Sequence, residues 1–195
     1  PAELAAIDEY TAELSQAGII VPAKRHSKFA TNLVVAAKRD SENGLWTSHR
    51  ICQDLRPVNA ISQTDFFTPP NLEELIREVC QYKILGTMDI SKAFYQIKCS
   101  PEASEILTFW DGRGKLWSYT RMCFGARNAS AHFQRVAEKT LRGLEYCARA
   151  YIDDVVIFAN TPQEFIQAVK HVLDAICRVG LRVHPTKSCM GAEAL

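Results

Sequence analysis

Four segments of the chain repeat apolar residues every three or four positions, the spacing of a helix with one buried face. They span residues 3–17, 71–82, 129–144 and 162–179. The last is the best delimited, because Thr161 is a candidate N-cap and Glu164 completes a capping box, with Pro162 at the first helical position. Gly18 and Gly180 stand where the first and last of these helices should end.

Short apolar runs bounded by turn residues predict strands. They cover residues 33–37, 84–90, 106–110, 115–120, 150–152 and 155–159, with a more mixed run at 48–55. Asn43-Gly44 and the DGRG sequence at 111–114 are typical of hairpin tips, and Asp153-Asp154 join the last two runs. Strands and helices are interspersed without repeats, low-complexity segments or a linker. We therefore expect an α+β fold in which helices back an antiparallel sheet.

Composition narrows the class of protein. Of the 195 residues, 47% are hydrophobic and 23% are charged, as in ordinary globular domains. No apolar run approaches the about 20 residues of a membrane span. The seven cysteines are scattered, without a CxxC pair or a histidine at zinc-ligand spacing, which is typical of reduced thiols. We expect an intracellular protein, cytosolic or nuclear, with no membrane partner.

The net charge of +1 does not by itself indicate a nucleic-acid partner, but the basic residues are unevenly distributed. Residues 24–56 carry seven Lys or Arg against three acids, and residues 121–149 carry six against two. Charge runs of this kind are most often solvated faces. Binding of a polyanion therefore needs support from chemistry elsewhere in the chain.

Three carboxylates offer that chemistry. Asp89 closes the strand-like run ILGTMD, and Asp153-Asp154 occupy the turn of the hairpin AYIDDVVIF. A lone Asp after a strand is most often a cap or turn residue, but adjacent carboxylates repel each other and are stabilised by a cation. Three hard oxygen ligands do not fill a Mg²⁺ shell and leave room for phosphates and water. The pattern favours metal-dependent nucleotidyl transfer with two ions.

Five successive segments resemble, in order, motifs of the reverse transcriptases of gypsy-type LTR retrotransposons and retroviruses. The resemblance extends from about residue 13 to residue 193. The segments are RICQDLRPVN (50–59), MDISKAFYQI (88–97), RMCFGARNASAHFQ (121–134), YIDD (151–154) and GLRVHPTKS (180–188). YIDD alone occurs by chance in many proteins, whereas five matches in a fixed order are specific to the family.

The resemblance implies a polymerase right-hand fold. It places the fingers, with their hairpin, at about residues 20–83 and 100–149, and the palm, with its antiparallel sheet, at about 84–99 and 150–195. The thumb is absent from this sequence, so we expect a thumb and a ribonuclease H region in a parent polyprotein. The implied partners are an RNA or DNA template with its primer, and deoxynucleoside triphosphates. The implied locations are the cytoplasm, a virus-like particle or the nucleus. This piece alone should be weakly active or inactive.

The same resemblance assigns the catalytic residues. Asp89, Asp153 and Asp154 would bind two Mg²⁺ ions, with Mn²⁺ as a possible substitute, and the backbone carbonyl of Ile90 would add a ligand. Lys187 matches a lysine near the leaving pyrophosphate, where it could act as a general acid.

Further residues would bind the nucleotide. Arg50 matches the residue that clamps the triphosphate, assisted by Lys38 or Arg39, between which the uncertain register does not decide. Phe94 matches the residue that closes off the 2′ side of the sugar, although it could also be core packing. Phe124 and Gly125 would line the nucleotide pocket.

The sequence departs from the family pattern around that pocket. Cys123 and Ser130 replace two prolines, and Ala126 replaces a larger apolar residue, which leaves the rigidity of the loop in question. Asp54 and Arg56 read as a structural ion pair of the fingers rather than as catalytic groups.

Two alternative functions remain open. An RNA-dependent RNA polymerase shares the palm, but it typically has a second Asp after the first catalytic Asp, and Gly-Asp-Asp at the turn. Here Phe94 and Tyr151 stand instead. A domesticated, non-catalytic nucleic-acid-binding scaffold would not need to keep all three acids, and all three are present.

Overall fold

The polypeptide folds into two units, and each is built around its own β-sheet. The computed structural model describes residues 2–24, 27, 29–39, 46–67 and 69–193. The first unit comprises Pro1–Thr64 and Ile97–Ala129, and the second comprises Asp65–Gln96 and Ser130–Leu195. These units group residues 65–83 and 130–149 with the sheet that carries Asp89, whereas the sequence places them in the fingers. The division into fingers and palm itself stays a prediction.

The first unit contains a five-stranded sheet of order β1-β6-β5-β2-β3. Its strands are β1 (Ile20–Pro22), β2 (Thr31–Arg39), β3 (Trp46–Gln53), β5 (Thr108–Trp110) and β6 (Leu116–Tyr119). Its helices are α1 (Ala2–Gln16), α2 (Arg56–Ile61) and α4 (Pro101–Ile106). The predicted β2–β3 and β5–β6 hairpins are confirmed, and the β2–β5 pairing is parallel. The predicted Asn43-Gly44 tip lies outside the described residues.

The second unit contains a four-stranded, fully antiparallel sheet of order β7-β8-β4-β9. Its strands are β4 (Ile84–Asp89), β7 (Ala148–Tyr151), β8 (Asp154–Ala159) and β9 (Cys189–Glu193). Its helices are α3 (Leu72–Val79), α5 (Ala129–Thr140) and α6 (Pro162–Arg178), with short 3-10 helices at Ala93–Gln96 and Pro185–Lys187. The predicted α+β class, with helices beside an antiparallel sheet, is confirmed.

Helix α6 shows how local sequence and packing cooperate in this unit. The Glu164 backbone N–H donates to the Thr161 hydroxyl at 3.3 Å, and the Glu164 carboxylate accepts from the Thr161 N–H at 3.2 Å. This is the predicted capping box. The helix packs onto β4 at Gly86, where an added Cβ would lie 2.7 Å from the ring of Phe165. Glycine at position 86 therefore leaves room for the Phe165 ring against β4.

Several elements differ from the sequence expectations. The mixed run at 48–55, expected as a strand, is strand only to Gln53, and helix α2 begins at Arg56 with Pro57 in its first turn. Helix α4 was not predicted, because six residues show too little periodicity. Strands β1 and β9 were also missed as short segments without alternation. Among the described residues, no helix is long and apolar enough to cross a membrane.

Candidate active site

The hairpin between β7 and β8 turns on two residues, Ile152 and Asp153, one position earlier than the Asp153-Asp154 turn expected from the sequence, because Asp154 already pairs with Tyr151. Tyr151 and Asp154 are the last paired residues of the two strands. Ile152 has a φ of 55°, a left-handed conformation that is unfavourable for a β-branched side chain. Two-residue hairpins that need a positive φ at the first turn position normally use glycine, asparagine or aspartate there. The turn that carries the acidic pair is therefore strained at the residue before it.

Strand β4 brings Asp89 to this turn. Asp89 lies directly opposite Asp154 in the β4–β8 ladder, and the Ile90 N–H donates to the Asp153 carbonyl at 2.9 Å. Directly opposed residues present their side chains on the same face of a sheet, with Cβ atoms about 4.5–5.5 Å apart. The structure thus brings the three predicted acidic residues to one end of one sheet.

The negative charges at this end influence one another. Partial burial raises the pKa of the Asp154 carboxyl above its usual value of 3.8, and the charges of Asp153 and Asp89 raise it further. A cation would relieve this repulsion, and the carboxylate oxygens are the donors that Mg²⁺ prefers. Within the described part of the chain, no group of three His, Cys, Asp or Glu side chains is spaced to hold a metal ion. The three carboxylates share this end of the sheet without converging on one point, and their role as ligands stays a prediction.

The backbone of Ile90 faces the same turn. Ile90 forms an isolated antiparallel bridge with Val183, and the hydrogen bonds of that bridge are made by the residues before and after it. The N–H and C=O of Ile90 therefore point to the other side, where the N–H meets Asp153. The role of the Ile90 carbonyl as a metal ligand stays a prediction.

The segment that precedes β9 holds Asp89 from the opposite side. The Asp89 N–H donates to the Ser188 hydroxyl at 3.2 Å, and the Asp89 carbonyl accepts from the His184 N–H at 2.8 Å. Lys187 lies between these two residues, in the 3-10 helix Pro185–Lys187, with an exposed side chain. Lys187 is thus held beside the backbone of the first acidic residue.

Sequence reasoning overlooked the residues that brace this arrangement. Gln96 donates to the carbonyls of Ser91 at 2.5 Å and Arg182 at 2.9 Å, and it accepts from the Arg182 N–H at 2.8 Å. These bonds join the segment after Asp89 to the segment before Lys187. Gln96 and Ser188 both lie inside the five motifs of the sequence analysis, and the motifs are therefore the signal that could have identified them.

Phe94 is half-buried on the 3-10 helix Ala93–Gln96. Its ring meets the fully buried ring of Phe133 edge-on, with centroids 6.0 Å apart and planes at 80°. Part of Phe94 is therefore core packing, and the remainder is open to solvent. Its role at the sugar stays a prediction.

The predicted triphosphate residues lie in the first unit. Arg50 is exposed on β3 opposite Ala36, and Lys38 lies opposite Ser48 on β2. The register is interrupted between Lys38 and Arg39. The choice between those two as the partner of Arg50 therefore stays open.

The loop that carries Phe124 and Gly125 is braced by helix α2 instead of by proline. The Asn59 side-chain amide donates to the Gly125 carbonyl at 2.8 Å, and its oxygen accepts from the Arg127 N–H at 2.9 Å. Cys123 is buried, and burial raises the pKa of its thiol to about 12. The loop thus has fixed attachments, while the Phe124 side chain remains 44% exposed.

The Asp54–Arg56 ion pair is present as expected. The Arg56 guanidinium lies 2.7 Å from the Asp54 carboxylate and lowers the pKa of that carboxyl to about 2. The pair lies between the end of β3 and the start of α2, which agrees with a structural role.

Comparison with known proteins places this arrangement in a family. Residues 38–194 match the family model described as reverse transcriptase (RNA-dependent DNA polymerase). The Pol polyprotein of Drosophila melanogaster transposon 297 is 27% identical over 93% of the chain, which spans 17% of that protein. The Pol polyprotein of the gypsy transposon from the same organism is 26% identical over 94% of the chain, which spans 18% of it.

The fold also matches a solved structure. The foamy viral protease-reverse transcriptase in complex with an RNA/DNA hybrid superposes with a TM-score of 0.84. The match covers 97% of this chain and 24% of that protein, at 20% identity. The chain therefore spans about a quarter or less of each of these three proteins.

Proposed function

This chain belongs to the reverse transcriptase (RNA-dependent DNA polymerase) family, and on that premise we propose that it supplies the fingers and palm of an enzyme that extends a primer 3′-hydroxyl with deoxynucleotides. The family resemblance expected from the sequence is confirmed. The observation that carries the proposal is the register that sets Asp89 opposite Asp154 at the end of the second sheet. We propose that residues 84–99 and 150–195 act as palm, and that residues 20–83 and 100–149 act as fingers.

The chain's own residues would divide the work of phosphoryl transfer. Asp89, Asp153 and Asp154, with the Ile90 carbonyl, would hold two Mg²⁺ ions, or Mn²⁺ in their place. When bound, such ions favour the ionised primer hydroxyl and neutralise the charge of the leaving pyrophosphate. Desolvation, and after it the charges of Asp153 and Asp89, raises the pKa of Asp154, and a bound cation would stabilise these charges.

Other residues would bind the nucleotide and move a proton. Arg50, with Lys38 or Arg39, would bind the triphosphate through charge-assisted hydrogen bonds. Phe124 and Gly125 would line the pocket, and Phe94 would close the 2′ side of the sugar. Lys187, held beside Asp89 by its neighbours His184 and Ser188, would donate a proton to the pyrophosphate.

The proposed partners are a primer on an RNA or DNA template and deoxynucleoside triphosphates. The foamy viral relative was solved with an RNA/DNA hybrid, and residues 24–56 of this chain are rich in Lys and Arg. Thumb and ribonuclease H regions of a complete protein would add to the grip on the duplex. We propose that the enzyme acts inside the cell, in the cytoplasm, a virus-like particle or the nucleus.

Primer extension by the complete protein tests the proposal. Mg²⁺-dependent extension of a DNA primer on an RNA template, with deoxynucleotides favoured over ribonucleotides, is the expected result. Asp153→Asn should abolish it, whereas Asp174→Asn, which removes an exposed carboxylate from α6, should leave it unchanged. Preference for ribonucleotides would identify an RNA polymerase. Template binding without extension under Mg²⁺ or Mn²⁺ would identify a non-catalytic scaffold.

A further inference from the structure

The side chain of Gln134 on α5 bonds to the backbone at the outer edge of β7. The Gln134 amide oxygen accepts from the Ile152 N–H at 2.5 Å, and its amide nitrogen donates to the Ala150 carbonyl at 3.0 Å. β7 is the first strand in its sheet, so these two backbone groups face away from β8. The amide thus pairs with β7 as the peptide group of another strand would.

The orientation of this amide is determined by its surroundings. The second N–H of Gln134 donates to the Glu138 carboxylate at 2.9 Å, one helical turn further along α5. Because both N–H groups are directed at acceptors, the oxygen must face the Ile152 N–H. Gln134 is fully buried, and a buried amide stripped of these bonds would be strongly unfavourable.

Ile152, whose N–H donates to Gln134, is the residue of the turn with a strained backbone. Ile152 holds a φ of 55° immediately before Asp153, a conformation that a β-branched residue adopts only when its surroundings impose it. Gln134 binds the backbone on both sides of Tyr151, at the carbonyl of Ala150 and the N–H of Ile152. It therefore acts on the part of the hairpin that sets the direction of the next two carboxylates.

We propose that Gln134 is a positioning residue of the polymerase site: its amide holds Ile152 in the left-handed conformation and thereby sets the position of Asp153 and Asp154. This inference rests on the proposed function and deepens it. Gln134 touches neither substrate nor reacting atoms and acts only through the turn. Small displacements of catalytic groups lower the rate far more than they lower binding.

Gln134→Met tests the proposal in the complete protein, because methionine keeps the length and apolar bulk but removes the hydrogen bonds. We expect kcat for primer extension to fall at least about tenfold while KM for the nucleotide changes less than about threefold. Thr140→Val is the matched control. It removes a side-chain hydrogen bond to the Val136 carbonyl in the same helix, away from the turn, and should change kcat less than about twofold.

A double-mutant cycle separates positioning from general stability. Glycine adopts a positive φ unaided, so Gln134→Met should lower kcat less than about threefold when Ile152 is already replaced by glycine. Equal losses in the two backgrounds would overturn the proposal, as would an unchanged kcat in folded Gln134→Met.

If Gln134→Met does not fold, Glu138→Ala serves instead, since it frees the amide from its orienting acceptor at an exposed site. It should lower kcat about threefold with an unchanged Tm, and an unchanged kcat would overturn the proposal.

Hydrogen exchange distinguishes this inference from the proposed function. The Ile152 amide should exchange slowly in the unmodified protein and at least about tenfold faster in Gln134→Met. An unmodified protein without polymerase activity would contradict the proposed function, whereas the exchange rates would still report whether Gln134 holds the turn. Fast exchange of the Ile152 amide in the unmodified protein would overturn the inference alone.

Discussion

Asp89 and Asp154 present their side chains on one face of the sheet because they are direct partners in the antiparallel β4–β8 ladder. The hydrogen bond from the Ile90 N–H to the Asp153 carbonyl locks this register at the end of the two strands. A shift of one residue would send the Asp89 side chain to the opposite face. The relation between these acids is therefore a property of the sheet and does not depend on flexible loops.

The first prediction concerns the cation. Asp89→Asn and Asp154→Asn should each weaken Mn²⁺ binding at least about tenfold, because each removes a charged ligand from a set of three. Titration of Mn²⁺ followed by electron paramagnetic resonance measures the affinity, with Asp174→Asn as the control. A structure with Mn²⁺ should show ions about 3.5–4 Å apart between Asp89 and Asp153. Equal Mn²⁺ affinity in all variants would place the metal elsewhere.

The second prediction concerns the sugar. Phe94→Val, made in the complete protein, should lower the ratio of kcat/KM for deoxynucleotides over ribonucleotides, because a ribose hydroxyl facing the intact ring has no hydrogen-bond partner. A buried hydroxyl without a partner is unfavourable by about 1–3 kcal/mol. Metal dependence should stay unchanged.

Phe133→Leu is the control for this prediction, because it alters the packing against Phe94 and leaves the Phe94 side chain itself unchanged. If both substitutions change the ratio equally, or neither changes it, Phe94 is core packing and the sugar is recognised elsewhere.

The third prediction concerns the loop of Phe124 and Gly125. Asn59→Ala removes a donor to the Gly125 carbonyl and an acceptor for the Arg127 N–H, so the loop should become mobile. Loss of two such hydrogen bonds amounts to roughly 1–3 kcal/mol, which should appear mainly as a higher KM for the nucleotide. Asn160→Ala, an exposed asparagine after β8, should leave KM unchanged. An unaltered KM in Asn59→Ala would separate this loop from nucleotide binding.

The fourth prediction concerns the packing of α6 on β4. Gly86→Ala should lower stability by about 1–3 kcal/mol, because the new Cβ would meet the Phe165 ring at 2.7 Å and the Cys189 carbonyl oxygen at 3.1 Å. Thermal unfolding measures the change. Phe165→Leu in the same protein should recover part of the lost Tm, since it removes the ring that clashes. A Tm unchanged by Gly86→Ala would show that α6 can shift freely on the sheet.

The fifth prediction concerns pH. Arg56 lowers the pKa of the Asp54 carboxyl from 3.8 to about 2. The ion pair therefore stabilises the folded protein at pH values above the pKa of Asp54 in the unfolded chain, and this stability is lost as the pH falls through about 2. Asp54→Asn should therefore lower the Tm at neutral pH, and the difference from the unmodified protein should close between about pH 4 and pH 2. The effect is small, because the Arg56 side chain is 86% exposed. A difference that persists at pH 2 would point to a cause other than the ion pair.

Local sequence determined much of this protein. The capping box of Thr161 and Glu164, the hairpin at DGRG and the existence of a tight hairpin at Asp153-Asp154 follow from residues a few positions apart. At the DGRG turn, the Asp111 carboxylate accepts from the backbone N–H groups of Arg113 and Lys115, so the tip is stabilised from within. Short-range hydrogen bonds and hydrophobic periodicity are encoded in short stretches of sequence. The five motifs in their fixed order identified the family.

Tertiary structure decided what no short stretch contains. The pairing of Asp89 with Asp154 joins residues 65 positions apart, and hydrophobic periodicity does not reveal which strands become neighbours. The bond from Asn59 to Gly125 spans 66 positions, and that from Gln134 to the Ile152 N–H spans 18. Neutral amides such as these look unremarkable in a sequence, because their importance arises only when the folded chain buries them beside backbone groups that need a partner.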